Sequence, residues 1–66
     1  MNVYQFRCNI KHLSTKIIIV DAEGHEVFCN NLGTYIHWIR KEIYDSREID
    51  YVYPEDDNML IIYLED

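Results

Sequence analysis

Residues 16–30 read KIIIVDAEGHEVFCN, two apolar runs on either side of a short polar turn. The first run, Lys16 to Val20, is rich in β-branched residues, which is typical of a strand. The turn Asp21-Ala22-Glu23-Gly24 has aspartate at its first position and glycine at its fourth, the residues that favour a type I turn closed by a glycine bulge. The stretch therefore predicts a β-hairpin with strands at about 16–21 and 25–30.

Both faces of this predicted hairpin are apolar. In the register that pairs Asp21 with His25, Ile18 and Phe28 share one face. The opposite face carries the other apolar side chains, with Ile19 opposite Val27 and Ile17 opposite Cys29.

A helix is predicted at about 32–45, directly after the hairpin. Asn31 can cap its first turn. Four apolar residues then fall on one stripe at about 100° per residue: Leu32, Ile36, Ile39 and Ile43. We expect this stripe to pack on a sheet, and Trp38, which lies about 120° from its centre, to be at best half covered.

Three further strands are predicted at about 3–10, 48–53 and 59–65, from alternating apolar residues and the acidic turn that separates the last two. The predicted fold is a single small α+β domain of order β-β-β-α-β-β, with a mainly antiparallel sheet and one helix packed on one face. The final strand is apolar on both sides. We therefore expect something to cover the second face: the first strand folded over it, a second copy, or another protein.

The acidity of the chain is regional. Eight of its twelve acidic residues lie in the last 22 positions, where Arg47 is the only base, so this third carries a formal charge of −7. Residues 1–44 sum to +1. Such a surface repels nucleic acid and membrane head groups and attracts basic proteins. The charge pattern predicts a protein partner with a basic surface, and no direct binding of nucleic acid or membrane.

Tyrosines are interleaved with these acids. An aromatic ring stacks on a guanidinium group while a neighbouring carboxylate pairs with it, so the combination suits an arginine- and lysine-rich partner. The predicted partner-binding residues are Asp45, Glu48, Asp50, Tyr51, Tyr53, Glu55, Asp56, Asp57 and Trp38. The alternative interpretation is that the rings cover the helix or the sheet edge, with Trp38 as a lid.

No motif for catalysis is present. Ser14 and Ser46 lack the glycines of a nucleophile elbow, and Gly24 and Gly33 cannot form a phosphate-binding loop. The acids at 55–57 lack the alternate spacing and the glycine of a cation-binding loop. We predict a protein that is not an enzyme and that uses no metal or cofactor.

Four residues of the types that bind zinc are Cys8, His12, Cys29 and His37, but their spacing does not match a structural zinc site. We expect two buried free cysteines and two solvated histidines. A zinc-stabilised adaptor and a Cys8–Cys29 disulfide are the alternatives. The two cysteines, and an N-terminus without a basic segment followed by an apolar one, predict a cytoplasmic protein.

The leading functional hypothesis is an acidic inhibitor that mimics nucleic acid. It would occupy the basic, phosphate-binding surface of a nucleic-acid-processing enzyme or nucleoprotein complex. In size and charge, though by no shared motif, the chain is similar to the compact acidic proteins that phages and other mobile elements use against host nucleases. The alternative is a self-associating structural or assembly subunit, a homodimer formed through the second apolar face of the sheet.

Overall fold

A computed structural model describes residues 1–66 as three short helices and four strands. Their order is α1 (Val3–Arg7), β1 (Lys16–Val20), β2 (Glu26–Asn31), α2 (Leu32–Ile36), α3 (Lys41–Asp45), β3 (Ile49–Asp56) and β4 (Met59–Leu64). The strands form one mixed sheet in the order β2-β1-β4-β3. The outer pairs are antiparallel, and the central pair, β1 with β4, is parallel. The single α+β domain is confirmed, but the predicted order of elements is wrong.

The predicted strand at 3–10 is instead the helix α1. The Asn2 side chain accepts a hydrogen bond from the Gln5 backbone N–H at 2.8 Å, and the Gln5 side chain accepts one from the Asn2 N–H at 3.0 Å. This reciprocal capping box fixes the start of the helix. Val3 is fully buried, and Phe6 and Ile10 pack against the same core. The segment therefore contributes to the helical layer and does not cover the second face of the sheet.

The β1–β2 turn forms as predicted. The Asp21 N–H donates to the His25 carbonyl at 2.9 Å, and Gly24 has a φ of 89°, a conformation that glycine adopts without steric cost. The Asp21 carboxylate also accepts hydrogen bonds from the backbone N–H groups of His25 and Glu23. These bonds, chiefly the one from His25, lower the pKa of Asp21 below its ordinary value.

The predicted register of this hairpin is wrong by one residue. A bulge next to the turn pairs Val20 with Glu26 and Ile19 with Phe28, so Val27 is the extra residue. A shift of one residue reverses which face a side chain occupies. Phe28 thus joins Ile19 in the core, and Ile18 lies on the opposite face.

The predicted helix at 32–45 is two helices separated by a turn at residues 37–40. Asn31 caps α2 as predicted, accepting from the Thr34 N–H at 2.7 Å. The predicted apolar stripe does not continue across the turn. Leu32 is buried and Ile36 packs against the core, but Ile39 is 93% exposed and Ile43 is 54% exposed.

Aromatic packing accounts for the break. In one continuous helix Tyr35 and Tyr44, nine residues apart, would point in opposite directions, about 180° from each other. The turn brings both side chains into the core. Trp38, at the turn, stacks on Tyr44 at a centroid distance of 5.6 Å and contacts Phe28 at 4.9 Å. The four rings form a continuous cluster between the helices and the sheet.

One core lies between the sheet and the helices. It consists of Val3, Ile17, Ile19, Phe28, Leu32, Tyr35, Tyr44, Ile62 and Leu64. All three helices contribute to it, so all three lie on the same side of the sheet. None of the helices has the length and apolar character needed to cross a membrane.

Candidate protein-binding surface

The strand register determines which side chains lie on the face of the sheet opposite the helices, here called the open face. None of its side chains is buried. Its apolar residues form two rows across the strands. One row is Cys29, Ile18, Ile61 and Tyr53, and the other is Val20, Tyr63 and Tyr51. Met59 lies beyond these rows, at one end of the face. The open face is thus apolar across the full width of the sheet.

The tyrosines of the open face lie mainly on β3, which is an edge strand. Tyr51 and Tyr53 are each 53% exposed. The Tyr51 ring stacks on Tyr63 of the neighbouring strand, with centroids 4.5 Å apart. The stack fixes the orientation of the Tyr51 ring, while its outer side remains free for a partner.

The open face itself carries little charge. By register its charged side chains are Lys16, Glu26 and Asp56, all at its periphery. Their sum is −1, against −6 for the whole chain. Most of the acidity therefore lies around this face and not on it.

The predicted acidic residues are divided between the two ends of the sheet. Glu55, Asp56 and Asp57 lie at the β3–β4 turn, where the Asp56 carboxylate accepts from the Asn58 N–H at 2.8 Å. Asp50 lies at the other end, in a shallow depression that it forms with Ala22, Leu64, Glu65 and Asp66. The two groups are about 20 Å apart, given the rise per residue of a strand.

Acids from the first half of the chain belong to the second of these groups. Because β1 and β4 are parallel, the turn after Val20 and the residues after Leu64 lie at the same end of the sheet. The β1–β2 turn lines the same depression as Glu65, so Asp21 and Glu23 of this turn lie at this end of the sheet. Neither was predicted as a site residue, and only the parallel pairing of β1 with β4 would have indicated them.

Asp45 is not part of this surface. The Arg7 guanidinium donates two hydrogen bonds of 2.9 Å to its carboxylate, and the Tyr35 hydroxyl lies 2.9 Å from the same group. The side chains of Arg7 and Asp45 are only 12% and 15% exposed. The Asp45 carboxylate, which was predicted as a contact residue, is thus largely enclosed by Arg7 and Tyr35 and stabilises the fold.

The pKa values in this cluster follow from its contacts. Burial raises the pKa of Asp45, but the hydrogen bonds from Arg7 and Tyr35 outweigh burial and lower it overall. The hydrogen bond to Asp45 raises the pKa of Arg7. Burial, with the neighbouring carboxylate, raises the pKa of the Tyr35 hydroxyl. Asp45 and Arg7 are therefore charged, and Tyr35 is neutral, at physiological pH.

Two further predicted contact residues lie apart from the tyrosines of β3. The Glu48 carboxylate accepts from the N-terminal ammonium at 3.1 Å, and both groups are exposed. Trp38 is half-buried among Phe28, Tyr35 and Tyr44, on the helix side of the sheet. A single flat partner surface cannot contact both Trp38 and the open face.

The cysteines are exposed. Cys8 and Cys29 are both free thiols, so the prediction that they are buried is wrong. His12 and His37 are exposed, as expected. No group of three or more His, Cys, Asp or Glu side chains is arranged to hold a metal ion.

Comparison of the chain with known protein families, with curated proteins and with solved structures finds no match.

Proposed function

We propose that the protein is a small, acidic, non-enzymatic module that binds a basic protein surface along the edge strand β3. One observation carries the proposal. Tyr51 and Tyr53 are half exposed on a rigid strand, with Asp50 before them and the carboxylates at 55–57 after them. This arrangement presents aromatic rings between two negative ends. We call it the β3 strip.

The β3 strip is suited to arginine and lysine side chains. A guanidinium group can stack on an exposed tyrosine ring while it pairs with a carboxylate beside that ring. Because the strand is held in a sheet, its side chains are already in fixed positions. Binding therefore costs less conformational entropy than it would if a flexible acidic tail had to become ordered. The Tyr51–Tyr63 stack adds to this rigidity.

The most concrete form of the proposal is an inhibitor that mimics nucleic acid. The span from Asp50 to Asp57 is about 23 Å, given about 3.3 Å per residue. Measured along the axis of a DNA duplex, that length corresponds to about seven base-pair steps. A protein that binds nucleic acid through its phosphates would be blocked competitively, with an affinity that falls as salt rises.

The test compares variants of the immobilised protein as baits for extract of its source cells. The triple variant Glu55→Gln/Asp56→Asn/Asp57→Asn removes three charges and keeps the acceptor that caps the turn at Asp56. Its matched control, Glu26→Gln/Glu42→Gln/Glu48→Gln, removes three charges from exposed positions outside the β3 strip and outside the depression around Asp50. A third variant, Tyr53→Ser, removes one ring.

We expect the wild type and the control to retain nucleic-acid-binding proteins, and heparin or high salt to release them. The triple variant should lose most of this retention, and Tyr53→Ser should reduce it about tenfold. Retention that is equal for the triple variant and its control would overturn the proposal. So would retention that heparin does not affect.

A further inference from the structure

We infer that a second copy of this chain covers the open face, in a two-fold symmetric dimer of stacked sheets. The inference does not depend on the proposed function, but Tyr51 and Tyr53 lie on the open face, so a second copy and a partner of the β3 strip would compete for these two rings. It begins from the open face, where four strands present apolar side chains that no element of the chain buries.

The size of the open face is the first step. Four strands about 4.8 Å apart and five residues at about 3.3 Å each, with overhanging side chains, give a surface of about 20 by 20 Å. An apolar area of about 400 Å² is within the range of the largest patch on a typical monomer, and such patches are often sites of association.

The charge of this face indicates which protein covers it. Its central side chains, Ile18, Ile61, Val20 and Tyr63, are all uncharged, and the peripheral charges sum to −1. A basic partner would find no counter-charge at the centre and would have to desolvate its own cations there. An equally neutral, apolar face is the complementary surface, and a second copy supplies one.

The sheet is self-complementary about a two-fold axis that runs parallel to the strands, between β1 and β4. This rotation places β1 of one copy over β4 of the other, about 10 Å away. Ile18 then faces Ile61 of the second copy, and Val20 faces its Tyr63, because each pair lies in one row of the register. Apolar side chains meet apolar side chains throughout the centre.

The same axis arranges the peripheral charges favourably. Lys16 of one copy lies over Met59 of the other, whose neighbour on β3 is Asp56. Two symmetric Lys16–Asp56 contacts thus lie on either side of the axis, at one end of the apolar centre. The acids at the two ends of the sheet stay at the outer margin, where salt screens their mutual repulsion.

The small area predicts a weak dimer. Two faces of about 400 Å² bury about 800 Å² in total, which is below the size of about 1,200 Å² at which standard interfaces begin and in the size range of weak, transient ones. We expect a reversible dimer with a Kd in the micromolar range.

Sedimentation equilibrium of the purified protein tests the inference, over a concentration range of about 5 to 500 µM and at NaCl concentrations of about 50 and 500 mM. The dimer fraction should rise with concentration and also with salt, because apolar burial is preserved while the repulsion between two acidic chains is screened. Ile61→Lys places a charge at the centre of the face and should weaken the dimer at least about tenfold. Ile39→Lys is the matched control, since Ile39 is 93% exposed on the helix side.

Circular dichroism and thermal melts establish that each variant folds. If Ile61→Lys does not fold, Cys29→Lys, at an exposed position in the same row, replaces it. A monomer at all concentrations would overturn the inference, as would a dimer that salt dissociates. Equal effects of Ile61→Lys (or Cys29→Lys) and Ile39→Lys would also overturn it, and would indicate association through another surface.

Discussion

The most informative single contact is the ion pair that joins Arg7 of α1 to Asp45 of α3, 38 positions apart in the chain. Two parallel hydrogen bonds, little exposure and a third contact from Tyr35 make this pair unlike an exposed surface ion pair. It ties the first helix to the third. Composition alone assigns Asp45 to the charged surface, but its carboxylate is largely shielded and holds two helices together.

Asp45→Asn should lower the free energy of unfolding by about 2 to 3 kcal/mol, since asparagine retains the shape but leaves the mostly buried Arg7 charge without its partner. Urea denaturation followed by circular dichroism measures the change. Glu42→Gln, at an exposed position on the same helix, is the control and should change stability by less than about 0.5 kcal/mol.

The pH dependence of this difference follows from the lowered pKa of Asp45. A carboxyl group whose pKa is depressed in the folded state contributes stability above its unfolded pKa, about 3.9, and loses that contribution as the pH falls through the lower folded value. The gap in stability between wild type and Asp45→Asn should therefore be constant near neutral pH and shrink in acid below about pH 4. A gap that does not change with pH would show that the charge of Asp45 is not what stabilises the fold.

At the scale of elements, the break at residues 37–40 shows the limit of periodicity as a guide. The spacing of Leu32, Ile36, Ile39 and Ile43 fits a single helix. The core nevertheless contains large aromatic rings of this segment, while Ile39 and Ile43 are exposed. Tyr35, Trp38 and Tyr44 do not share a helical face, and only a turn can bury them together. Tertiary packing overrides a local pattern here.

Stability should therefore depend on Tyr44 and hardly at all on Ile39. Tyr44→Leu removes the stacking contact with Trp38 and should cost about 1 to 2 kcal/mol. Ile39→Ala should change stability by less than about 0.5 kcal/mol, because the side chain is almost fully exposed. Urea denaturation followed by Trp38 fluorescence measures both. A larger loss for Ile39→Ala than for Tyr44→Leu would instead support a continuous helix.

The elements that sequence predicted well are those with local signals. The β1–β2 turn depends on Asp21 and Gly24, and the start of α2 depends on Asn31, so each is encoded within a few residues. The helix α1 also had a local signal, Asn2 followed three residues later by Gln5, which the alternating pattern of residues 3–10 obscured.

The features that sequence did not predict depend on distant contacts. The bulge at Val27 places Phe28 beside Ile19, on the core side of the sheet. There Phe28 contacts Tyr35 and Trp38, so the bulge is favoured by residues outside the hairpin. The parallel pairing of β1 with β4 depends on chain segments 43 residues apart. Tyr51 and Tyr53 were predicted because acidic residues are interleaved with them in the sequence. Their shared exposed face depends on the irregularity between Ile49 and Tyr51, and the role of Asp45 depends on the position of Arg7.

Across the molecule as a whole, most of the acids lie at the two ends of one small sheet, and few of them are paired. The salt bridges formed by non-histidine groups are Arg7–Asp45, which is largely shielded, and the exposed contact of the N-terminus with Glu48. The remaining carboxylates repel one another across short distances. The folded state thus carries an electrostatic cost that added salt relieves.

The melting temperature should consequently rise as NaCl increases from about 10 to about 300 mM, because screening acts on the exposed carboxylates more than on the shielded Arg7–Asp45 pair. Thermal unfolding of the Ile61→Lys variant at low micromolar concentration keeps self-association out of the measurement. A melting temperature that falls with salt would mean that attractive ion pairs dominate the surface.

The central parallel pair has a consequence for how the chain acquires its structure. Half of the hydrogen-bonding capacity of β1 is met only by β4, and the core residues Ile17 and Ile19 lie beside a strand that begins at Met59. A nascent chain that has emerged only as far as β3 has its hairpin and helices available, but the middle of its sheet is missing. Productive folding must therefore wait for β4, and until that strand is synthesised the edge of β1 that later pairs with it stays open.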